Sequence, residues 1–258
     1  MPIYTTYAPI YDAIGQGAFA TALVSHVLAD LPAPPQRVLD LACGTGAAAL
    51  ALAAHGAAVV GLDRSPAMLR IAAGRARDRG LPITWIEANL RALPIGDAPG
   101  ELRPGSFDLI TCLYDSLNYL TGDGDLALVL RDAARLLAPG GRLVFDLNTE
   151  AEFLTWDESD QIVYDQEGLL VYNRLSYDPA RRLARGRIVW FSSDGQRWWR
   201  DEETHHQRAW SEADVLAGLT AAGLRLRECR TPDWAEAGPN APRVVYVAER
   251  STAELAHA

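Results

Sequence analysis

The sequence contains no lysine, because all 24 of its basic residues are arginine. Without a lysine amine, the chain cannot form a Schiff base with a carbonyl substrate and cannot anchor pyridoxal phosphate. It also lacks the lysine with which a P-loop holds nucleotide phosphates. These three kinds of chemistry are therefore excluded.

The chain also has few cysteines and a negative net charge. The three cysteines (Cys43, Cys112 and Cys229) lie far apart and form no C-x-x-C pair, so neither a disulfide framework nor a zinc site is predicted. The net charge of −9 and the pI near 5.0 argue against sequence-independent binding to nucleic acid. We expect no metal and no nucleic-acid partner.

Long hydrophobic runs are absent. The longest apolar run, 47–54, is too short to span a bilayer, and the first eleven residues lack the features of a secretory signal. We therefore expect a cytoplasmic protein without a membrane partner. A chain of 258 residues can form one domain with an insertion, as a monomer or a homodimer.

Strands and helices alternate through the first 150 residues. A helix is predicted to begin after Ser65, with Pro66 at its first position, and to end at Gly80. Apolar runs predict strands at 38–41, 59–62, 83–86, 107–113 and 142–147. This order is typical of an α/β fold with a doubly wound parallel sheet.

The pattern changes after the fifth strand. Residues 161–208 are rich in β-formers and carry turn signals at 178–179 and 193–195, which indicates an antiparallel meander. A helix at 211–222 and strands at 224–230 and 243–249 then follow. We expect a Rossmann-like, doubly wound sheet of seven strands formed by 1–150 and 209–258, with 151–208 inserted as a β lid over the substrate.

The most informative segment, 38–46, runs from an apolar strand into Gly44-Thr45-Gly46 and then into an alanine-rich helix. Glycine lets a ligand approach the backbone closely, and the carboxyl end of the first strand is where such sheets bind cofactors. With Ala49 at the third small position, the segment matches the dinucleotide motif G-x-G-x-x-G/A only weakly. The carboxylate of Asp40 would repel a pyrophosphate, whereas it would attract an amine or a sulfonium.

The string LDLACGTG at 39–46 resembles motif I of the class I S-adenosylmethionine-dependent methyltransferases. The resemblance is strongest over 38–146 and implies S-adenosyl-L-methionine as methyl donor and S-adenosyl-L-homocysteine as product. Asp63, at the end of the second strand, can accept hydrogen bonds from both ribose hydroxyls. Together these features predict cofactor contacts at Asp40, Ala42, Gly44, Gly46, Asp63, Arg64 and Met68.

Three further segments extend the resemblance. After the third strand, Asn89 and Leu90 stand where the family binds adenine, although an acid is usual at the position of Asn89. The string FDLITCLYDSLNYL at 107–120 resembles bacterial small-molecule methyltransferases, including the amino-sugar and glycine N-methyltransferase groups. That likeness implies that the backbone of 112–114 (Cys112, Leu113 and Tyr114) binds the methionine part. Tyr11 matches a tyrosine that closes over the methionine carboxylate, although packing under the first helix explains it nearly as well.

The substrate side is predicted from the segment 203–210, which resembles an H-x-x-R-A-[YW] strand of the same subfamily. Strand alternation places Glu203, His205 and Gln207 on one face and His206 with Arg208 on the other. His205 is the candidate general base, although a structural histidine at a sheet edge fits the same pattern. Candidate substrate-binding residues are Asn118, Tyr119 and Arg208.

The predicted reaction is in-line transfer of the sulfonium methyl group to a nitrogen or oxygen of a small molecule. Such catalysis depends mainly on positioning and desolvation, so no nucleophile–base–acid set is needed. Two alternatives remain open from the sequence. One is an NAD(P)-dependent Rossmann oxidoreductase, and the other is a cofactor-binding module without turnover.

Overall fold

The structure is a computed structural model that describes residues 3–252. Its helices are α1 Ala8–Tyr11, α2 Gln16–Asp30, α3 Ala47–Ala54, α4 Pro66–Asp78, α5 Asp125–Leu136, α6 Glu150–Phe153 and α7 Glu212–Ala221, with a 3₁₀ helix at Ser116–Tyr119. Its strands are β1 Arg37–Leu41, β2 Ala58–Asp63, β3 Thr84–Glu87, β4 Phe107–Cys112, β5 Leu137–Asn148, β6 Asp157–Gln166, β7 Leu169–Asp178, β8 Leu183–Ser193, β9 Trp198–Arg208, β10 Leu224–Arg230 and β11 Arg243–Arg250.

Seven strands form one twisted sheet in the order β10-β11-β5-β4-β1-β2-β3. The five strands from β3 to β5 run parallel, whereas β11 is antiparallel to both β5 and β10. The predicted Rossmann-like α/β fold of seven strands is therefore confirmed. The strand order reverses beside β1, and the crevice at that edge is where such sheets bind ligands.

Helices cover both faces of this sheet, which explains why its strands read as continuous apolar runs. On one face, Val38 and Val59 pack with Leu23 and Leu52 of α2 and α3. On the other face, alternate strand residues pack against α5 and α7 in the larger core cluster. Across residues 3–252, no helix combines the length and the hydropathy needed to cross a membrane.

The inserted meander is also confirmed, as a separate antiparallel sheet in the order β6-β7-β8-β9. Its first strand begins at Asp157, earlier than the predicted start of the β-rich segment at 161. This strand lies at a sheet edge and is exposed along nearly its whole length, so its sequence carries no apolar alternation. In the main sheet, β5 begins at Leu137 rather than at 142, because Leu137 already pairs with Phe107 of β4 before the Pro-Gly-Gly segment bulges and pairing resumes at Arg142.

Helix α4 begins as the sequence predicts. The Ser65 hydroxyl accepts a hydrogen bond from the Met68 N–H at 3.2 Å, and it also donates to the Tyr4 carbonyl at 2.7 Å. The cap therefore ties the N-terminal segment to the main sheet. Ser211 caps α7 in a similar way, within a capping box completed by Asp214, at a distance from that segment.

We predict that Ser65→Ala and Ser211→Ala each lower the free energy of unfolding by about 1 kcal/mol, because each loses one N-cap. Only Ser65→Ala should also speed amide hydrogen exchange in residues 4–11, since only Ser65 holds the Tyr4 carbonyl. Denaturant titration and exchange mass spectrometry measure the two effects. Equal exchange in both variants would contradict the tie between α4 and the N-terminal segment.

Candidate active site

Two adjoining cavities open at the carboxyl edge of β1, β2 and β4. The larger has an empty volume of about 730 Å³ including its open mouth, and the smaller about 380 Å³. Both are lined by Tyr11, Ala42, Gly44, Tyr114 and Ser116. The larger cavity extends along Asp63 and Asn89, and the smaller one reaches Asp40 under the glycine turn. Together they form one cleft with two chambers.

Asp63 holds the glycine turn in place. One carboxylate oxygen accepts from the Gly44 N–H at 2.9 Å, and the other accepts from the Ser65 N–H at 2.8 Å. Burial raises the pKa of Asp63, while the hydrogen bonds lower it. Gly46 has φ +81°, and a Cβ there would lie 2.9 Å from the Trp85 ring, so α3 can begin at this point only after a glycine.

Asp40 is one of the buried groups within residues 3–252 whose hydrogen-bonding capacity is incompletely satisfied. Its exposed fraction is 2%, and its Oδ1 accepts from the Thr111 hydroxyl at 2.7 Å. Its Oδ2 is buried and has no hydrogen-bond partner. Burial raises the pKa of Asp40 to about 7, although the Thr111 hydrogen bond lowers it. A cationic ligand in the smaller cavity would supply the missing partner.

The turn after β4 depends on Asp146 and Arg243, two residues that the sequence analysis did not identify. Tyr114 and Asp115 both have left-handed backbone, with φ +63° and +49°. Asp146 accepts from both of their N–H groups, at 2.6 and 3.0 Å, and pairs with Arg243 at 2.6 Å. Arg243 also pairs with Asp115 at 2.8 Å and lies over the rings of Phe19 and Tyr114.

Local sequence explains why only one of these two residues could have been noticed. Asp146 interrupts an apolar strand near its carboxyl end, as Asp40 does, and that signal was available. Arg243 comes from the far end of the chain and reaches Asp146 only because β11 pairs antiparallel with β5. No local pattern predicts that contact.

Four tyrosines line the larger cavity and form a tyrosine wall: Tyr4, Tyr11, Tyr114 and Tyr119. Tyr11 and Tyr114 also border the smaller cavity beside the glycine turn. Burial raises the pKa of all four phenols, that of Tyr114 to about 12, so they carry their protons at neutral pH. His205 is buried behind this wall, with its Nδ1 2.9 Å from the Tyr119 hydroxyl.

Most residues predicted to bind the cofactor lie in this cleft. Those that line it are Tyr11, Asp40, Ala42, Gly44, Asp63, Arg64, Met68, Asn89, Leu90, Leu113 and Tyr114. Gly46 and Cys112 do not line either cavity; Gly46 shapes the turn, and Cys112 is buried in the core. The Asn89 side-chain oxygen already accepts from the Arg91 N–H at 2.9 Å.

The predicted substrate residues divide differently. Tyr119 lines the larger cavity, but Asn118 is fully buried and bonds to the backbone of Asn148 and Arg208. The Arg208 side chain turns away to the Thr121 carbonyl and to Asp123. Strand alternation correctly separates His205, which is buried, from the exposed His206. Within residues 3–252, no three His, Cys, Asp or Glu side chains group as a metal site.

Comparison with known proteins shows similarity to methyltransferases. A family model described as a methyltransferase domain matches residues 38–141. The Bacillus subtilis protein named "Putative methyltransferase YqeM" is 29% identical over 96% of this chain and 98% of its own length. The demethylmenaquinone methyltransferase of Thermus thermophilus is 39% identical over 55% of this chain and 62% of its own length.

Solved structures agree on the fold. An S-adenosylmethionine-dependent methyltransferase from Clostridium acetobutylicum superposes with a TM-score of 0.82, at 24% identity, covering 97% of this chain and all of that one. Residues 38–141 therefore match a methyltransferase domain, and nearly the whole chain is similar to a protein named as a putative methyltransferase. The Rossmann-like sheet is shared with solved S-adenosylmethionine-dependent methyltransferases.

The residues present fit S-adenosylmethionine. The cofactor carries an amine and a sulfonium, and the free oxygen of Asp40 is a buried acceptor suited to a cation. The Gly44 backbone has φ +54°, and an added Cβ there would meet nothing within 4 Å, so the turn leaves open space beside it. When bound, the cofactor supplies an electrophilic methyl group.

We predict that Asp40 makes cofactor affinity depend on pH. Its folded pKa is about 7, so the carboxylate that attracts a cation forms only as the pH rises through that value. S-adenosylhomocysteine should therefore bind about tenfold more weakly at pH 6 than at pH 8. Calorimetric titration measures this, and Asp40→Asn should flatten the profile and weaken binding at pH 8 by about tenfold or more.

Asp108→Asn is the matched control, because Asp108 lies at the opposite edge of the sheet and bonds only to the Gln36 and Arg37 N–H groups. It should keep the wild-type profile. Asp63 also has a raised pKa, so Asp40→Asn isolates the contribution of Asp40. A pH profile unchanged in Asp40→Asn would disprove the role assigned to this carboxylate.

Arg243 neutralises two buried carboxylates, so Arg243→Met should lower the free energy of unfolding by about 3–5 kcal/mol. Burial raises the pKa of Asp146, and Arg243 lowers it. In Arg243→Met, Asp146 will therefore keep its proton to higher pH than in the wild type. Because its buried carboxylate is unpaired once that proton is lost, the loss of stability should be greater at pH 8 than at pH 5. Denaturant titration at both pH values measures this.

The control for this change is Arg142→Met, in a second arginine with 18% of its side chain exposed. Its partners Asp30 and Glu249 are more solvent-exposed than Asp146, so its loss should cost about 1 kcal/mol. Equal costs for the two variants, independent of pH, would show that the Arg243 network is not the support of the β4 turn.

Proposed function

We propose that this methyltransferase acts on a nitrogen or oxygen nucleophile of a small molecule bound against the tyrosine wall. The observation that carries the proposal is the continuity of the cleft, which runs from the glycine turn to the tyrosines of the N-terminal segment and the 3₁₀ helix. A cleft lined by tyrosine hydroxyls suits a compact polar acceptor.

Under this proposal, Asp40 holds the cofactor amine and Asp63 receives the ribose hydroxyls. Asn89 and Leu90 lie against the adenine, and Tyr11 with 113–114 encloses the methionine part. Their common position in the cleft supports these roles. The four-stranded sheet at 157–208 acts as the lid over the acceptor, and Glu203 of β9 connects it to the N-terminal segment.

A Rossmann oxidoreductase is less well supported. Asp40, which has one unpartnered buried oxygen, lines the chamber under the glycine turn, where a dinucleotide would place its pyrophosphate. Two like charges there would repel, whereas a sulfonium cofactor offers the opposite charge. The balance of charge in the smaller cavity therefore favours methyl transfer.

The test is release of S-adenosylhomocysteine from S-adenosylmethionine with a panel of acceptors. The panel comprises an amino-sugar nucleotide, glycine and demethylmenaquinone, the last chosen because a 39% identical relative bears that name. We expect turnover with the amino-sugar nucleotide or glycine and strong loss in Asp40→Asn, whereas turnover with demethylmenaquinone alone would contradict a nitrogen or oxygen acceptor. Cofactor binding without turnover on a widened panel, or stabilisation by NAD(P) alone, would refute the proposal.

A further inference from the structure

A row of hydrogen bonds connects the acceptor cavity to a buried histidine. The hydroxyls of Tyr4 and Tyr119 are 2.7 Å apart, and the Tyr119 hydroxyl is 2.9 Å from His205 Nδ1. His205 Nε2 lies 3.3 Å from Glu203 Oε2. Both tyrosines line the cavity, but His205 does not. Any exchange of protons between this histidine and an acceptor therefore passes through the tyrosines.

The carboxylate of Glu203 determines which atoms in this row of hydrogen bonds donate and which accept. Burial alone would raise the pKa of Glu203, but the contact with His205 and the N–H groups of Tyr4, Thr5 and Tyr7 lower it. Glu203 is thus an anion facing Nε2, and it favours the tautomer with the proton on that nitrogen. Nδ1 is then free to accept from Tyr119, whose oxygen can accept from Tyr4.

The Nε2 contact with Glu203 is close, although its geometry is not that of a well-aligned hydrogen bond. The ionisable groups that face the imidazole are Tyr4 and Tyr7 from the N-terminal segment, Tyr119 from the 3₁₀ helix and Glu203 from its own strand. An imidazolium formed here would therefore face a carboxylate and neutral phenols.

The backbone of Tyr4 is held in a strained state at this point. Its φ is +61°, a left-handed conformation that costs a residue with a side chain about 1–3 kcal/mol. Two contacts hold it there: Glu203 accepts from its N–H at 2.6 Å, and Ser65 donates to its carbonyl at 2.7 Å. These two contacts hold the backbone so that the Tyr4 phenol lines the cavity within hydrogen-bond distance of Tyr119.

We infer that Tyr4 and Tyr119 relay the proton of the acceptor to His205, which is the terminal proton acceptor and never touches the substrate. This inference rests on the proposed function. The acceptor heteroatom bonds to the methyl carbon as the carbon–sulfur bond breaks, and its proton passes to the Tyr4 oxygen. Tyr4 gives its own proton to Tyr119, and Tyr119 gives its proton to Nδ1. The products are the methylated acceptor, S-adenosylhomocysteine and an imidazolium beside Glu203.

The first test needs no acceptor. Protein labelled with ¹⁵N in histidine, saturated with S-adenosylhomocysteine, should show His205 protonated at Nε2 and unprotonated at Nδ1 at neutral pH, with His205→Asn assigning the signals. Tyr119→Phe should shift the Nδ1 resonance, because the ring remains and only the hydroxyl is lost. His206→Asn and Tyr177→Phe, both on the lid away from the cavity, should leave it unchanged. A proton on Nδ1, or no response to Tyr119→Phe, would overturn the relay.

The second test uses the acceptor with the highest turnover in the panel. Tyr4→Phe, Tyr119→Phe and His205→Asn should each lower kcat at least tenfold while leaving KM for S-adenosylmethionine within twofold. The fall of wild-type kcat at acid pH, where a protonated imidazole cannot accept, should disappear in His205→Asn. His206→Asn and Tyr177→Phe should retain wild-type kcat within twofold.

The outcomes separate the two proposals. Turnover that persists in all three variants with an unchanged pH profile would contradict the relay and leave the proposed function intact. If no acceptor releases S-adenosylhomocysteine, the proposed function fails, and the tautomer and its response to Tyr119→Phe still decide whether the hydrogen-bonded row exists. An equal loss in all three variants with the acid limb unchanged would mark these residues as structural.

Discussion

The cost of burying carboxylates at one edge of the main sheet constrains the whole site. Asp63, Asp40 and Asp146 lie near the carboxyl ends of β2, β1 and β5, and all three are shielded from water. A buried carboxylate must find hydrogen bonds or a cation. Each of the three finds a different partner, and those partners determine the shape of the cleft.

Asp63 finds backbone N–H groups and thereby fixes the glycine turn. Asp146 finds Arg243 and two N–H groups, and thereby holds the left-handed turn that carries Tyr114. The only side chain that hydrogen-bonds to Asp40 within residues 3–252 is Thr111, and its second oxygen has no close hydrogen-bond partner there. Two carboxylates thus stabilise the turns of the cleft, while under the proposed function the third binds the cofactor.

Local patterns were sufficient for the sheet and for one side of the cleft. The run into Gly44, the acid at 63 and the alternation around His205 depend on neighbouring residues, so the sequence predicts them directly. Arg243, Glu203 and Tyr4 act through contacts spanning about a hundred residues or more, and no local pattern reveals these. For Asn118 and Arg208, the local pattern predicted substrate contacts, whereas the fold directs their polar groups to the backbone and to Asp123.

The most direct test of this account is a ¹³C NMR titration of the Asp40 side-chain carboxyl, without and with S-adenosylhomocysteine. Because burial raises its pKa, the Asp40 carboxyl should titrate near pH 7 in the free protein. Its midpoint should move to lower pH when the cofactor amine binds beside it. A midpoint at an ordinary acidic pH in the free protein, or one that the ligand does not move, would contradict the account.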